Sequence, residues 1–516
     1  MKENKTIGMT IGPIYKTLAA ARKTRELWGA SYIFSYLMKT IIKTLIEKGI
    51  KKEHIIVPYT GSIDRNEYHY GAGLFPDRLI LRAGEKDFEK VKQTIEEVLS
   101  GLGEKIAGFL NENLEEVQKY IANYFQVYFL EKELEGDKGP ILELSPYLDT
   151  MELMEKFMPS DDQQYLAVFF DRVNSSFLFK DGFPASNDQR KRKKRFESII
   201  EISARELRKF DEAGFDKIIK DHFNTRESGD EEEDILIEKL KNINKIKDNF
   251  KTCHKYIAIV QADGDNISKT LIDIGNDEEK LNDFSERLNT FAGEAAGIIH
   301  EYGGTPVYIG GDDLLFFAPV VNTNTSIFDL INTLDEKFKT FFHQASLSFG
   351  VSISYYKFPL NEALETARHL LLKEAKEYKN NEGIKVKNAL AFKFLKHSGI
   401  SFGATFNKDS HIYSRFQKLL ASYGGEERHL NSIVHSLQLN RNIFKTIGKN
   451  EEKVKHFLKN SFDEEIHKEF EDFIETAAEL IFNIYNERPA EGEDKKFSAI
   501  YAILRTLLFL KRKDNE

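Results

Sequence analysis

Three aspartates and two glycines carry the chemistry this sequence can be read to offer. An apolar run of the buried-strand type, Tyr256 to Ala262 (YIAIVQA), feeds directly into Asp263-Gly264-Asp265. Further on, Gly310-Gly311-Asp312-Asp313 separates two β-rich runs, Pro306 to Ile309 and Leu314 to Ala318. A Gly-Asp pair in that setting signals a hairpin. With the hairpin beside the first strand, the carboxylates of Asp263, Asp312 and Asp313 come together. Crowded carboxylates raise one another's pKa unless a cation neutralises them. Hard oxygen ligands favour Mg²⁺ or Mn²⁺. Two such ions about 3.5–4 Å apart activate an attacking hydroxyl and stabilise a departing pyrophosphate. Gly310 and Gly311, lacking side chains, let a triphosphate approach the backbone. The same tetrapeptide also serves as a plain turn. Charge placed between apolar strands is costly, and that favours the metal reading. Two readings stay open at Lys376, in Glu374-Ala375-Lys376: a point charge for a β- or γ-phosphate, or a solvated helix face beside Lys373 and Lys379.

Four segments must position these groups. Residues 251–395 alternate as β-α-β-β-α-β, the order of a ferredoxin-like fold. Residues 1–135 open with a short strand and a helix whose apolar face reads Phe34, Leu37, Met38, Ile41, Ile42, Leu45. Further strands and helices follow in the same segment, again an α/β arrangement. Residues 136–250 form a connecting, mostly helical segment with a strand expected at Tyr165 to Phe170. It also holds a basic run at Arg190 to Arg195 and an acidic one at Asp230 to Asp234. The basic run reads equally as a solvated loop or as a contact to RNA or a neighbouring subunit. Residues 396–516 read as a helical bundle, and Pro489 to Gly492 as a loop before its last helix. The class is α+β.

Composition narrows the function. The chain has 516 residues, 74 Lys+Arg against 83 Asp+Glu and a net charge of −9, which disfavours a free-standing nucleic-acid binder. Its one cysteine, Cys253, excludes an internal disulfide and any zinc site with two or more cysteine ligands. No stretch near the start reads as a membrane span or a secretory signal, so a cytoplasmic location is expected. Trp28, the only tryptophan, reads as a core anchor on an amphipathic helix.

The segments YIAIVQADGDNISK (256–269), YIGGDDLLFFAP (308–319), SFGVSISYYKFPLNEALETA (348–367) and EAK (374–376) together resemble a palm-type polymerase/cyclase domain. Diguanylate cyclases and the large subunits of type III CRISPR effector complexes share that domain. Residues 11–37 look like the start of the first palm in the Cmr (III-B) large subunit, and KRFESIIEIS (194–203) is similar to its signature between the palms. The resemblance implies two ferredoxin-like palms, the first non-catalytic, with a connecting domain and a C-terminal helical bundle. It implies an ATP-consuming nucleotidyltransferase that makes an oligoadenylate-type second messenger with Mg²⁺ or Mn²⁺, inside a complex with other Cmr-type subunits, crRNA and target RNA. Asp263 and Asp312 would hold metal, assisted by Asp313. Asp312 and Asp313 would be catalytic, and Gly264, Gly310, Gly311, Asn266 and Lys376 would line the nucleotide. The chain has no His-Asp dipeptide, so no nuclease of the HD type is expected. A scaffold that binds nucleotide without turnover, or a free-standing diguanylate-cyclase-like enzyme, are the competing readings.

Overall fold

The computed structural model describes all residues except 1–4, 62, 64–68, 135–137, 155–163, 185–194, 225–229, 381, 423–426, 461–469, 488–492 and 512–516. The basic run up to residue 194 and the 489–492 loop therefore lie outside the described residues. The first sheet is built from β1 (Lys5–Gly12), β2 (Ile55–Val57), β3 (Arg78–Arg82) and β4 (Gln126–Glu133) in the order β2-β3-β1-β4. The Thr24–Glu47 helix links β1 to β2, and the Asp87–Leu110 and Leu114–Tyr124 helices link β3 to β4. The second sheet holds β5 (Tyr256–Asp265), β6 (Thr305–Gly310) and β7 (Asp313–Pro319), with a small β8–β9 pair (Val321–Asn322, Thr325–Ser326) beyond it. It continues with β10 (Ser346–Tyr355), β11 (Ala389–Leu395) and β12 (Ser401–Asn407), in the order β12-β11-β10-β5-β7-β6. Its first four strands in chain order, β5, β6, β7 and β10, repeat the topology of the first sheet. Both are ferredoxin-like. β12, assigned from the sequence to the helical C-terminal segment, is the edge of this sheet and pairs with β11 from Ala389↔Asn407 to Leu395↔Ser401.

β5 is apolar almost throughout because it is central and covered on both faces. Its alternate residues serve two cores. Ala258, Val260 and Ala262 pack with Phe291, Phe338 and Phe349 under the second palm's own helices. Ile257 and Ile259, with Leu315 and Phe317 of β7, join Leu27, Trp28 and Leu37 of the Thr24–Glu47 helix. The two palms thus share a core. The six positions of the expected helix face, Phe34 to Leu45, are all buried.

A strand was expected at 165–170; the structure has a helix, Tyr165–Asp171. Leu166, Phe169, Phe170 and Val173 are buried while Val168 is 45% exposed. That spacing is helical, and the buried face packs with the core of the Thr24–Glu47 helix. Residues 195–203 act as a tie. The Glu197 backbone carbonyl accepts from Thr24 (2.6 Å) and its carboxylate from Thr305 at the start of β6 (2.9 Å). Arg195 binds both oxygens of Glu201 at 2.7 Å, and Ser198 with Glu201 forms a capping box. Among the described residues no helix is long and apolar enough to cross a membrane.

The palms differ at one hairpin. β6 and β7 are joined by a two-residue turn, whereas β2 and β3 are joined by residues 58–77. At Gly73 the connection meets the second palm, where Ile309 N–H donates to the Gly73 carbonyl (2.9 Å) and Gly73 N–H to Val307 (3.4 Å). Trp28 holds it there. Its Nε1–H donates to the Gly71 carbonyl at 2.7 Å, and its ring lies 5.0–5.7 Å from Tyr32, Phe179, Phe183 and Phe196. Replacing Trp28 by Ala should cost about 3–5 kcal/mol of unfolding free energy. Replacement by Phe, which keeps most of the packing but loses the hydrogen bond, should cost nearer 1–2 kcal/mol. Urea titration followed by circular dichroism measures both, and equal losses would contradict a specific role for the indole N–H.

Candidate active site

The register of β5 sets the site. Its pairing with β7 reaches Ala262↔Leu314. Two further steps place Asp263 opposite Asp313 and Gly264 opposite Asp312. Contacts agree, since a Cβ on Gly264 would stand 2.5 Å from Asp312 Oδ2 and 2.8 Å from Asp312 Cβ. Only glycine leaves room there for the Asp312 carboxylate. Gly310 pairs with Asp313 across the hairpin, so Gly311 and Asp312 form the turn. Gly311 has φ 89, which an L side chain at the first central position of such a turn disfavours. Asn266, at φ 64, turns the chain out of β5 into the Ile267–Ile274 helix. Asp263, Gly264, Asn266, Gly310, Gly311, Asp312 and Asp313 therefore gather at one end of the sheet.

Lys376 joins them without facing solvent. Its side chain is 11% exposed, which removes the solvated-face reading. Its ammonium donates to the Asp263 carbonyl (2.9 Å), the Gly264 carbonyl (2.8 Å) and Asp265 Oδ1 (2.8 Å), and pairs with Asp263 Oδ1.

Asp265 was given no role from sequence, and it organises the floor of the site. It is 1% exposed. Its Oδ2 accepts from Ser348 Oγ (2.7 Å), Ser346 Oγ (3.2 Å) and Asn388 N–H (2.8 Å). The legible signal was the serines themselves: an inner strand reading SLSFGVSISY keeps buried hydroxyls, which need partners. Asp77, at the end of the 58–77 segment, is a second unforeseen acid. Its charge helps raise the Asp313 and Tyr308 pKa values, so the first palm adds negative potential to the site.

The electrostatics divide the carboxylates. Burial works against ionising Asp265, but Lys376, Ser348 and the Asn388 N–H outweigh it and hold the carboxyl below its usual range. Asp263 goes up, through desolvation that Lys376 only partly offsets. Desolvation and then Asp263 push Asp312 to about 6. Asp313 rises well above the usual range through the surrounding protein, Asp312 and Asp263, although its exposed face lets water screen part of this. Among the described residues no group of three or more His, Cys, Asp or Glu side chains is placed to hold a metal ion as it stands. Asp263 is turned to Lys376. The donor set is nonetheless one of hard oxygens, crowded against a bare glycine and short of positive charge, and it fits a divalent cation.

Residues 256–389 match the family model described as Cas10/Cmr2, second palm domain, and residues 6–119 match that of CRISPR-associated protein Cmr2, N-terminal. The chain thus carries a second palm domain of the Cas10/Cmr2 type and an N-terminal domain of the Cmr2 type. It is 32% identical over 121 residues to the CRISPR system Cmr subunit Cmr2 of Pyrococcus furiosus, a match spanning 22% of this chain and 13% of that relative. Among solved structures it is similar to the type III-B Cmr-beta in the apo state, at 12% identity and TM-score 0.59, over 89% of this chain and 77% of that one. A Csm1–Csm4 cassette in complex with cA3 matches at 11% identity and TM-score 0.50, over 99% of this chain and 70% of that one. At these identities the structural likeness is one of fold. The two matched regions contain β2, β3 and most of β1 in the first sheet and β5, β6, β7 and β10 in the second, and these meet at Gly73 and β6.

The raised Asp312 pKa has a stability consequence. A carboxyl whose folded pKa lies above its unfolded value costs nothing below about pH 4 and destabilises progressively as pH rises through about 6. Without divalent cations, Asp312→Asn should therefore raise stability at pH 7.5, on the order of 1 kcal/mol after screening, with the gain fading toward pH 4. Thermal unfolding at several pH values checks this, and a pH-independent difference would contradict it.

Proposed function

We propose that this chain is the large subunit of an RNA-guided type III CRISPR complex that, on binding target RNA, converts ATP into an oligoadenylate-type messenger, cyclic or otherwise ATP-derived. The observation that carries this reading is the convergence of Asp263, Asp312 and Asp313 across Gly264. The cA3 named with the Csm1–Csm4 cassette and the Cmr-beta assembly supports it, as do both family matches. Its partners are other Cmr-type subunits, crRNA and target RNA through the complex, and ATP, and its place is the cytoplasm.

In this reading Asp263 and Asp312, with Asp313 beside them, hold Mg²⁺ or Mn²⁺, which supplies Lewis-acid stabilisation of charge on the attacking and leaving oxygens. Gly264, Gly310 and Gly311 line the triphosphate, with the backbone most open at Gly311, where nothing stands nearer than 3.7 Å to an added Cβ, and Asn266 starts a helix whose first amides favour phosphate. A 3′-oxygen forms its bond to the α-phosphorus while the bond to the bridging oxygen of pyrophosphate breaks. The hydroxyl proton passes to the acidic cluster, where Asp313 keeps an open face. The first palm acts without catalysing, closing the site through Gly73 and adding the Asp77 charge.

Replacing Asp312 and Asp313 together by Ala should reduce pyrophosphate release from ATP by at least about 10²-fold while the chain still folds and assembles. Pyrophosphate release by the assembled complex, with target RNA and either cation, measures it. Release that persists in the double variant would overturn the assignment.

A further inference from the structure

Lys376 spends every donor it has on the protein. A lysine ammonium carries three N–H groups, and four oxygens surround this one: the Asp263 and Gly264 carbonyls, Asp265 Oδ1 and Asp263 Oδ1. Two carboxylates and two carbonyls are ligands a hard cation would take, and here the chain's own ammonium has them. None of its donors is left for a phosphate.

The backbone holds the lysine in that place. After the Leu360–His369 helix the chain widens into a π-turn, Leu370–Ala375, and the Lys376 N–H donates to Leu371 at 2.9 Å, five residues back. Such turns cluster at functional sites. The helical segment lies directly on β10, where any Cβ on Gly350 would strike Ala367 O and Leu371 N. The neighbouring Glu374 is tied to β12 by Thr405, at 2.7 Å. Asp265 is saturated by Ser346, Ser348, Asn388 and Lys376 and is closed to metal. Asp263 differs: it is shared, with a side chain 33% exposed.

We infer that Lys376 is an internal counter-ion, standing at Asp263 in place of a divalent cation, so that cation and nucleotide bind as a coupled pair instead of cation first. The inference rests on the nucleotidyltransferase reading above. Without nucleotide, a cation approaching Asp263 meets a fixed positive charge already bound to the same carboxylate. A triphosphate supplies both fresh oxygens for the cation and an alternative partner for the ammonium, which frees Asp263. The coupling keeps a bare acidic site from collecting cations in the absence of substrate.

The test is Mn²⁺ binding to the full chain, followed by the electron paramagnetic resonance signal of free Mn²⁺. Titrations are run with and without an ATP analogue carrying a methylene bridge between the α- and β-phosphorus. Wild type should bind Mn²⁺ weakly alone and at least about tenfold more tightly with the analogue. Lys376→Met should bind Mn²⁺ alone at least about tenfold more tightly than wild type, with most of the coupling lost, and Lys376→Arg should retain the coupling. Should the Met variant show no cooperative unfolding, Lys376→Gln, which removes the charge and keeps donors, replaces it with the same expectation. Unchanged or weaker Mn²⁺ binding in the neutral variants, beside a normal wild-type response, would overturn the counter-ion role alone. No Mn²⁺ binding by wild type even with the analogue would overturn the nucleotidyltransferase reading as well.

Discussion

The structure depends on holding like charges together at the end of one central strand. Asp312 in the β6–β7 turn packs against Gly264, the neighbour of Asp263 in β5, and Asp313 stands opposite Asp263 by register. Protein does not gather carboxylates against desolvation and mutual repulsion without opposing energy. Here that energy comes from β5, buried between β7 and β10 and feeding two cores from its alternate faces. Lys376 and the serines of β10 compensate one acid, Asp265, completely. The other three remain under-compensated. That imbalance is what divalent cations would relieve.

The two sheets share one topology and divide the labour through one hairpin. In the second palm the hairpin is as tight as a hairpin can be, which fixes Asp312 and Asp313. In the first it is opened into residues 58–77, anchored by Trp28 through Gly71 and paired through Gly73 to β6. A long insertion costs little in chain entropy when its ends are already close. In return it clamps β6, the strand leading into the Gly311-Asp312 turn, and brings the Asp77 charge within electrostatic reach of Asp313. Glu197 adds a second tie, joining Thr24 of the first palm to Thr305 of β6. Through Gly73 and Glu197 the first palm is thus tied to β6, the strand that leads into the turn.

Much of this was legible in the residues. The apolar run 256–262 behaves as a central strand, the Gly-Gly-Asp-Asp stretch as a turn between paired strands, and residues 34–45 as a buried helix face, because each depends on local periodicity. The shared topology of the palms came from the resemblance and not from periodicity, since loop lengths differ most at the equivalent hairpin. Residues 165–170 look strand-like by composition and become a helix through tertiary packing. Lys376 was the hardest. Its reach depends on a π-turn, and on a helix lying so close to β10 that only Gly350 fits beneath it, and neither has a sequence period. Asp265 was hidden for a related reason: a strand places Asp263 and Asp265 on one face, and only the cross-strand serines show which of the two is the floor.

Manganese-edge anomalous diffraction from crystals of the full chain grown with Mn²⁺ and a non-hydrolysable ATP analogue tests the central claim most directly. The account predicts anomalous density bounded by the carboxylates of Asp263 and Asp312, over Gly264 and beneath the triphosphate. Manganese bound elsewhere, or those carboxylates directed away from a fully occupied nucleotide, would contradict it.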